Sequence, residues 1–207
     1  MCYNAEISLN TFIYGTIALI ITLILNKLPI TEIIIVFTIS LIQLMEYFAW
    51  TNINNSINLY YISHFGLFII FIQVFLITYS HFKNEKKQIM LLLLFLTSIY
   101  IYYNTAINNK FNMEKGKNGH LIWWWLDIVY PLNILLLLIF YMYPYYETKS
   151  YITLILVIIS VGISLYYNMK YKTWGSMWCY IGNLFWIALI IKSIYFYITE
   201  KNEINNL

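Results

Sequence analysis

Glu32, Gln43, Glu46 and Trp50 follow one another at intervals of 11, 3 and 4 residues. At about 100° per residue, those intervals set all four on one narrow stripe of a helix. A carboxylate at position 46, between Met45 and Tyr47, points to acid–base chemistry or to a buried polar network. Removal of Met1 would make Cys2 the first residue, a thiol nucleophile for which Glu46 or His64 is the expected base. Glu6, Gln43, Trp50, Trp178 and Cys179 are the binding residues expected around this catalytic set of Cys2, Glu46 and His64. Each also has a plainer reading. His64 is an ordinary interhelical hydrogen-bonder, and the two cysteines are inert thiols or, in an oxidising compartment, one disulfide.

The elements that must position these groups are apolar. Seven stretches, at about 9–26, 31–50, 59–80, 88–104, 128–146, 151–167 and 181–199, approach the roughly 20 residues that a helix needs to cross hydrocarbon. Each is apolar on all sides rather than alternating, which excludes a β-barrel. Charged or turn-forming residues fill every gap, and Trp50, Trp123-Trp124-Trp125, Tyr145-Tyr146 and Trp174 read as interfacial belts. The fold class is therefore all-α, an integral membrane bundle of about seven transmembrane helices. It forms one domain over residues 1–200, followed by a polar, frayed tail at 201–207. The segment 108–118 reads as a solvated loop.

Threading the chain through the bilayer an odd number of times gathers the reactive side chains at one face. Cys2, Asn4 and Glu6, the Glu46 end of the second span, His64, and His120 with Asp127 all fall on the N-terminal side, as does the segment 174–179. The other face is left with His81, lysines and the carboxylates of the tail. His120 and Asp127 read most simply as loop residues, and Lys192 as a side chain snorkelling to the far interface.

Composition narrows the function classes. The chain is 61% hydrophobic and only 10% charged, with a mean hydropathy of +0.69, whereas a soluble domain is about a quarter charged. Its net charge of +3 comes from lysine alone, since there is no arginine, which argues against a nucleic-acid partner. No metal and no cofactor are expected. A zinc site of three histidines fails on topology, because His81 lies opposite His64 and His120. A retinal-type site fails because Lys192 has no carboxylate one turn away, and no helix carries the repeated basic residues of a voltage sensor. No basic segment precedes the first apolar run and no small-residue cleavage site follows it, which argues against a cleaved signal peptide.

The opening Met1-Cys2-Tyr3-Asn4-Ala5-Glu6, the pattern Gln43-Leu44-Met45-Glu46 with Trp50, and the segment from Gly175 to Tyr180 resemble three motifs of one family. Its members are small polytopic membrane proteins that begin Met-Cys-Trp-(Ser/Asn)-Ala and occur in bacteria, fungi, algae and large DNA viruses. Tyr3 and Tyr180 stand where that family has tryptophan. The resemblance implies a multi-helix membrane fold and supports Cys2, Glu6, Gln43, Glu46, Trp50 and Cys179 as one cluster, and it brings no activity with it. Richness in Ile, Asn, Lys and Tyr without Arg suggests AT-rich coding and, within that family, a viral member placed in a virion or host membrane.

The leading functional expectation is a pocket at the N-terminal membrane face that takes a membrane lipid or another amphipathic small molecule. The alternative is a structural or assembly protein that recruits protein partners within the membrane. A transporter or channel ranks third, because span centres such as Leu91–Leu96 and Leu135–Ile139 offer almost no polar path.

Overall fold

A computed structural model describes residues 4–25, 28–126 and 131–205. Cys2 and Asp127 lie outside the described residues. The chain forms α1 (Ala5–Leu25), α2 (Ile30–Thr51), α3 (Ser56–His81), α4 (Asn84–Ile107), a hairpin of β1 (Met113–Lys115) and β2 (Leu121–Trp123), α5 (Pro131–Glu147), α6 (Tyr151–Asn168), α7 (Trp174–Gly182) and α8 (Leu184–Asn205). Among the described residues, six helical stretches are long and apolar enough to cross a membrane, the last of them combining α7 and α8 as Trp174–Thr199. The 17 residues of α5 pack between α3 and α6 as a further helix of the bundle. This is an all-α, multi-pass membrane protein.

Local chemistry sets the helix ends. Pro29, with φ −58°, precedes α2, since proline lacks the N–H that a first turn leaves unpaired anyway. Asn55 caps α3 by accepting from the Asn58 N–H at 3.1 Å. Within hydrocarbon, helices associate through small residues that let backbones approach. Ser8, Gly15 and Thr22 recur along the buried face of α1, and a Cβ at Gly15 would fall 2.5 Å from Ser40 Oγ on α2. The α2 and α3 spans are 56% and 50% buried, against 22–28% for the other four, so these two form the axis of the bundle.

Two regions differ from the sequence expectation. The first is 108–126, which folds inward instead of forming a solvated loop. The register Met113↔Trp123, Glu114↔Ile122 and Lys115↔Leu121 builds an antiparallel hairpin, and its turn closes with Gly119 at φ +84°. Trp123 and Trp125 are each only 2% exposed, and their rings stack at 5.0 Å with 9° between planes. They are core residues rather than an interfacial belt. His120, read above as a loop residue, is buried as well. Asn118 Nδ2 ties the hairpin tip to Thr173 Oγ1 at 2.8 Å. The physical reason is steric fit, with Gly66 of α3 lying against Trp125 and Gly175 of α7 against Trp123.

The second difference is the last span, which begins at Trp174 rather than near 181 and is interrupted at Asn183. The Asn183 side-chain amide donates to the Cys179 carbonyl at 2.9 Å, taking the acceptor that a regular helix would pair with the backbone N–H. That N–H turns instead to the Tyr180 carbonyl at 3.1 Å, tightening the turn. The tail expected to fray continues as helix to Asn205.

A Cβ at Gly175 would sit 3.1 Å from the Trp123 ring, whereas one at Gly162 meets nothing within 4 Å. Gly175→Val is therefore expected to destabilise by about 1–3 kcal/mol, and Gly162→Ala to be neutral or to stabilise by up to about 1 kcal/mol. Thermal unfolding of the two variants in the same detergent distinguishes them, and equal midpoints would contradict the packing described.

Candidate functional site

Both carboxylates of the α2 stripe meet the last span. Glu46, 0% exposed, accepts from Ser176 Oγ at 2.5 Å. Glu32 pairs with Lys192 at 2.8 Å, so this lysine is held by a partner instead of simply reaching for the interface. Ser176 lies in the first turn of α7, where a helix N-terminus favours a nearby acidic group. The two contacts lie on opposite sides of the break at Asn183.

The surroundings of the expected residues separate them. Gln43 is fully buried on α2, one turn before Glu46. Cys179 is a free thiol, half-buried, one turn after Ser176 on α7. Trp178 donates from Nε1 to Ser160 Oγ of α6 at 3.1 Å. These four occupy one neighbourhood where α2, α6 and α7 meet. Trp50 is half-buried near the end of α2, and Glu6 is exposed in the first turn of α1. His64 stands apart. Its ring stacks on Phe111 at 3.6 Å and meets Tyr102 edge-on, while its Nδ1 lies 2.8 Å from the Tyr60 carbonyl. Gly66, two residues on, faces Met45 of α2, so His64 is turned toward α4 and the hairpin instead. Among the described residues, no group of three His, Cys, Asp or Glu side chains is arranged to hold a metal ion.

The open space lies elsewhere. A cavity of about 540 Å³ is lined from α2, α3, α5, α6, α7 and α8. Its inner end is formed by Ile42, Leu126, Trp178 and Cys179, one helical turn short of Glu46. Its walls are mainly aliphatic, with Ile35, Ile39, Ile70, Ile77, Leu156 and Val157. The polar exception midway is Tyr141, whose hydroxyl donates to Gln73 Oε1 at 2.5 Å. At the outer end lie Glu32, Lys192, Ser80, His81 and Ser150, on the face opposite the N-terminus. The N-terminal face, where the sequence predicts the pocket, is occupied by the packed tryptophans of the hairpin. Of the expected residues, Trp178 and Cys179 line the cavity, while Gln43 and Glu46 are buried beyond its end.

No protein-family model matches the chain, and no curated protein or solved structure is significantly similar to it.

The wall of the cavity has one loose seam. α2 packs against α3 and touches α8, α3 packs against α5, and α5 against α6. α6 follows α7 closely at the N-terminal face, where Ser164 Oγ donates to the Trp174 carbonyl at 2.5 Å. Past the break at Asn183, α8 leaves α6, and those two helices share at most a grazing contact among the described residues. Leu156 of α6 and Ala188 and Lys192 of α8 line the cavity on either side of this seam and are themselves exposed.

Sequence reasoning names Glu32, Lys192 and His81 singly but misses their meeting at one cavity end, and it misses the Gln73–Tyr141 pair altogether. The polar types alone could have suggested them, since Gln73 and Lys192 are conspicuous inside apolar runs. Their pairing spans 68 and 160 residues and depends on which helices are neighbours.

Removing the Ser176 hydroxyl would leave a fully buried carboxyl short of a donor, so Ser176→Ala is expected to cost about 1–3 kcal/mol. Glu46→Leu should destabilise more than Glu46→Gln, because glutamine keeps an oxygen for Ser176. Unfolding midpoints in detergent order the variants, and identical midpoints for Glu46→Gln and Glu46→Leu would contradict this role.

Proposed function

We propose that this protein binds an amphipathic, lipid-like molecule within its membrane bundle, with the apolar part among the isoleucines and the polar part at the Glu32–Lys192 end. The observation that carries this reading is the shape and lining of the 540 Å³ cavity. Ligand sites of a few hundred Å³ are typically apolar with a small number of convergent polar groups. This lining has that character, and the exposed seam between α6 and α8 faces the bilayer, the phase in which such molecules are dissolved. The reading moves the predicted pocket away from the N-terminal face.

Binding accounts for the lining better than bond-making does. Among the described residues, Cys179 is the one thiol at the cavity wall and no side chain hydrogen-bonds it. A nucleophile would need a base within hydrogen-bond reach. Glu46 is bonded to Ser176 and screened from the cavity, and His64 is turned to α4. Transport gains some support from the interrupted last span, since broken helices line many transporter sites. It would also require a route to the N-terminal face, where Trp123, Trp125 and Leu126 are packed.

The test is equilibrium binding of a dansylated fatty acid to the purified full chain in lipid nanodiscs. Ile39→Trp fills the cavity from α2, and Ile159→Trp places the same bulk on a residue of α6 that is 51% exposed. Ile39→Trp is expected to weaken binding about tenfold or more, equivalent to about 1.4 kcal/mol, with Ile159→Trp unchanged. Equal affinity in both variants, each folded by its melting curve, would overturn the reading.

A further inference from the structure

We infer that the molecule held in the cavity is a single-chain zwitterionic lipid of the lysophospholipid class, its head group lying across the Glu32–Lys192 pair. This rests on the binding reading above and adds the ligand's chain number and charge.

Chain number follows from volume. A cavity of about 540 Å³ falls within the size range of sites that take one molecule of roughly drug size, which matches a single acyl chain better than two. The inner end, closed by Leu126 and Trp178, terminates the chain.

Head-group charge follows from the mouth. Lys192 Nζ and Glu32 Oε2 are 2.8 Å apart, yet their side chains are 46% and 42% exposed, so each ionic group keeps an open flank. A half-exposed ion pair contributes little to stability, and a head group can insert beside it or between its members at small cost. A purely anionic head group would gain Lys192 and be repelled by Glu32, and a cationic one would meet the reverse. A phosphate joined to an ammonium satisfies both, replacing one charge-assisted contact with two. The other polar groups at this end do not tip the balance. Ser80 and Ser150 are neutral donors and acceptors, and the His81 ring is engaged, with Nδ1 2.9 Å from the Ile77 carbonyl and its edge on Tyr145 at 4.7 Å. The exposed seam between α6 and α8 makes the bilayer the source of the ligand.

The experiment is competition against a tail-labelled fluorescent lysophosphatidylcholine, using the full chain in nanodiscs. The competitors are palmitoyl-lysophosphatidylcholine, palmitate, sphingosine and dipalmitoyl-phosphatidylcholine. Lysophosphatidylcholine is expected to compete at about tenfold lower concentration than each of the others, a difference of about 1.4 kcal/mol. Glu32→Gln should shift the ranking toward palmitate and Lys192→Gln toward sphingosine. The double reversal Glu32→Lys with Lys192→Glu should restore the preference for lysophosphatidylcholine, which a misfolded chain would not do. Equal competition by all single-chain molecules, or a ranking untouched by the single variants, would overturn the head-group assignment while leaving amphipath binding in place. Equal competition by the two-chain lipid would overturn the single-chain assignment. Failure to bind the probe, with no displacement by any competitor, would instead remove the binding reading itself.

Discussion

The architecture depends on the buried carboxylate of Glu46 on α2, which grips the last span ahead of its break. Glu46 takes the hydroxyl of Ser176 and Glu32 takes the ammonium of Lys192, 14 residues apart along one stripe. Polar groups inside hydrocarbon are costly unless satisfied. The buried Glu46–Ser176 contact therefore constrains the first half of the span, while the half-exposed Glu32–Lys192 pair marks where the second half passes α2. Between them, the Asn183 amide replaces a backbone donor, and the helix axis is free to change direction. The first half stays with α6 through Ser160 and Ser164, and the second half follows α1 and α2. Leu189 joins Leu19, Ile33 and Val36 in a small core of its own. The cavity is the space left where α8 parts from α6.

The N-terminal face is closed by the same steric logic that opens the other. Two tryptophan rings enter the bundle because Gly66 and Gly175 present no side chain to them. The Trp174 indole N–H then reaches the Leu126 carbonyl at 3.2 Å, fastening the end of the hairpin to the start of α7. The polar residues Gln43, Glu46 and His120 are thereby buried at this face. Their burial explains why a site assembled from Glu46 and its neighbours is structural in position, while the space that could admit a ligand begins one turn away.

Much of this was legible in the amino-acid order. Hydropathy placed the spans because a helix in lipid must be apolar along its whole length. The stripe of Glu32, Gln43 and Glu46 was readable because helical periodicity is local, and both of its carboxylates do face the last span, one on each side of its break. Distant contacts were not readable. Nothing in residues 108–120, rich in asparagine and lysine, signals a hairpin that buries His120, and the triplet Trp123-Trp124-Trp125 looks the same whether it lies in an interface or a core. The Gly175-Ser176 pair reads as a loop until the tryptophan that needs the missing side chain is known. Lys192 inside an apolar run could have snorkelled or paired, and only the proximity of α2 and α8 decides.

The central claim is that an acyl chain occupies the space between α6 and α8, and photochemistry addresses it most directly. A palmitoyl lipid carrying a diazirine near the end of its chain would be incorporated with the full chain into nanodiscs, irradiated, and the adducts mapped by peptide mass spectrometry. Adducts concentrated on Ile39, Ile42, Val157 and Trp178 are expected, since these line the middle and inner end of the cavity. Adducts scattered over the outward residues of α4 and α6, such as Leu92, Phe95 and Ile159, with none on the cavity walls, would contradict the account.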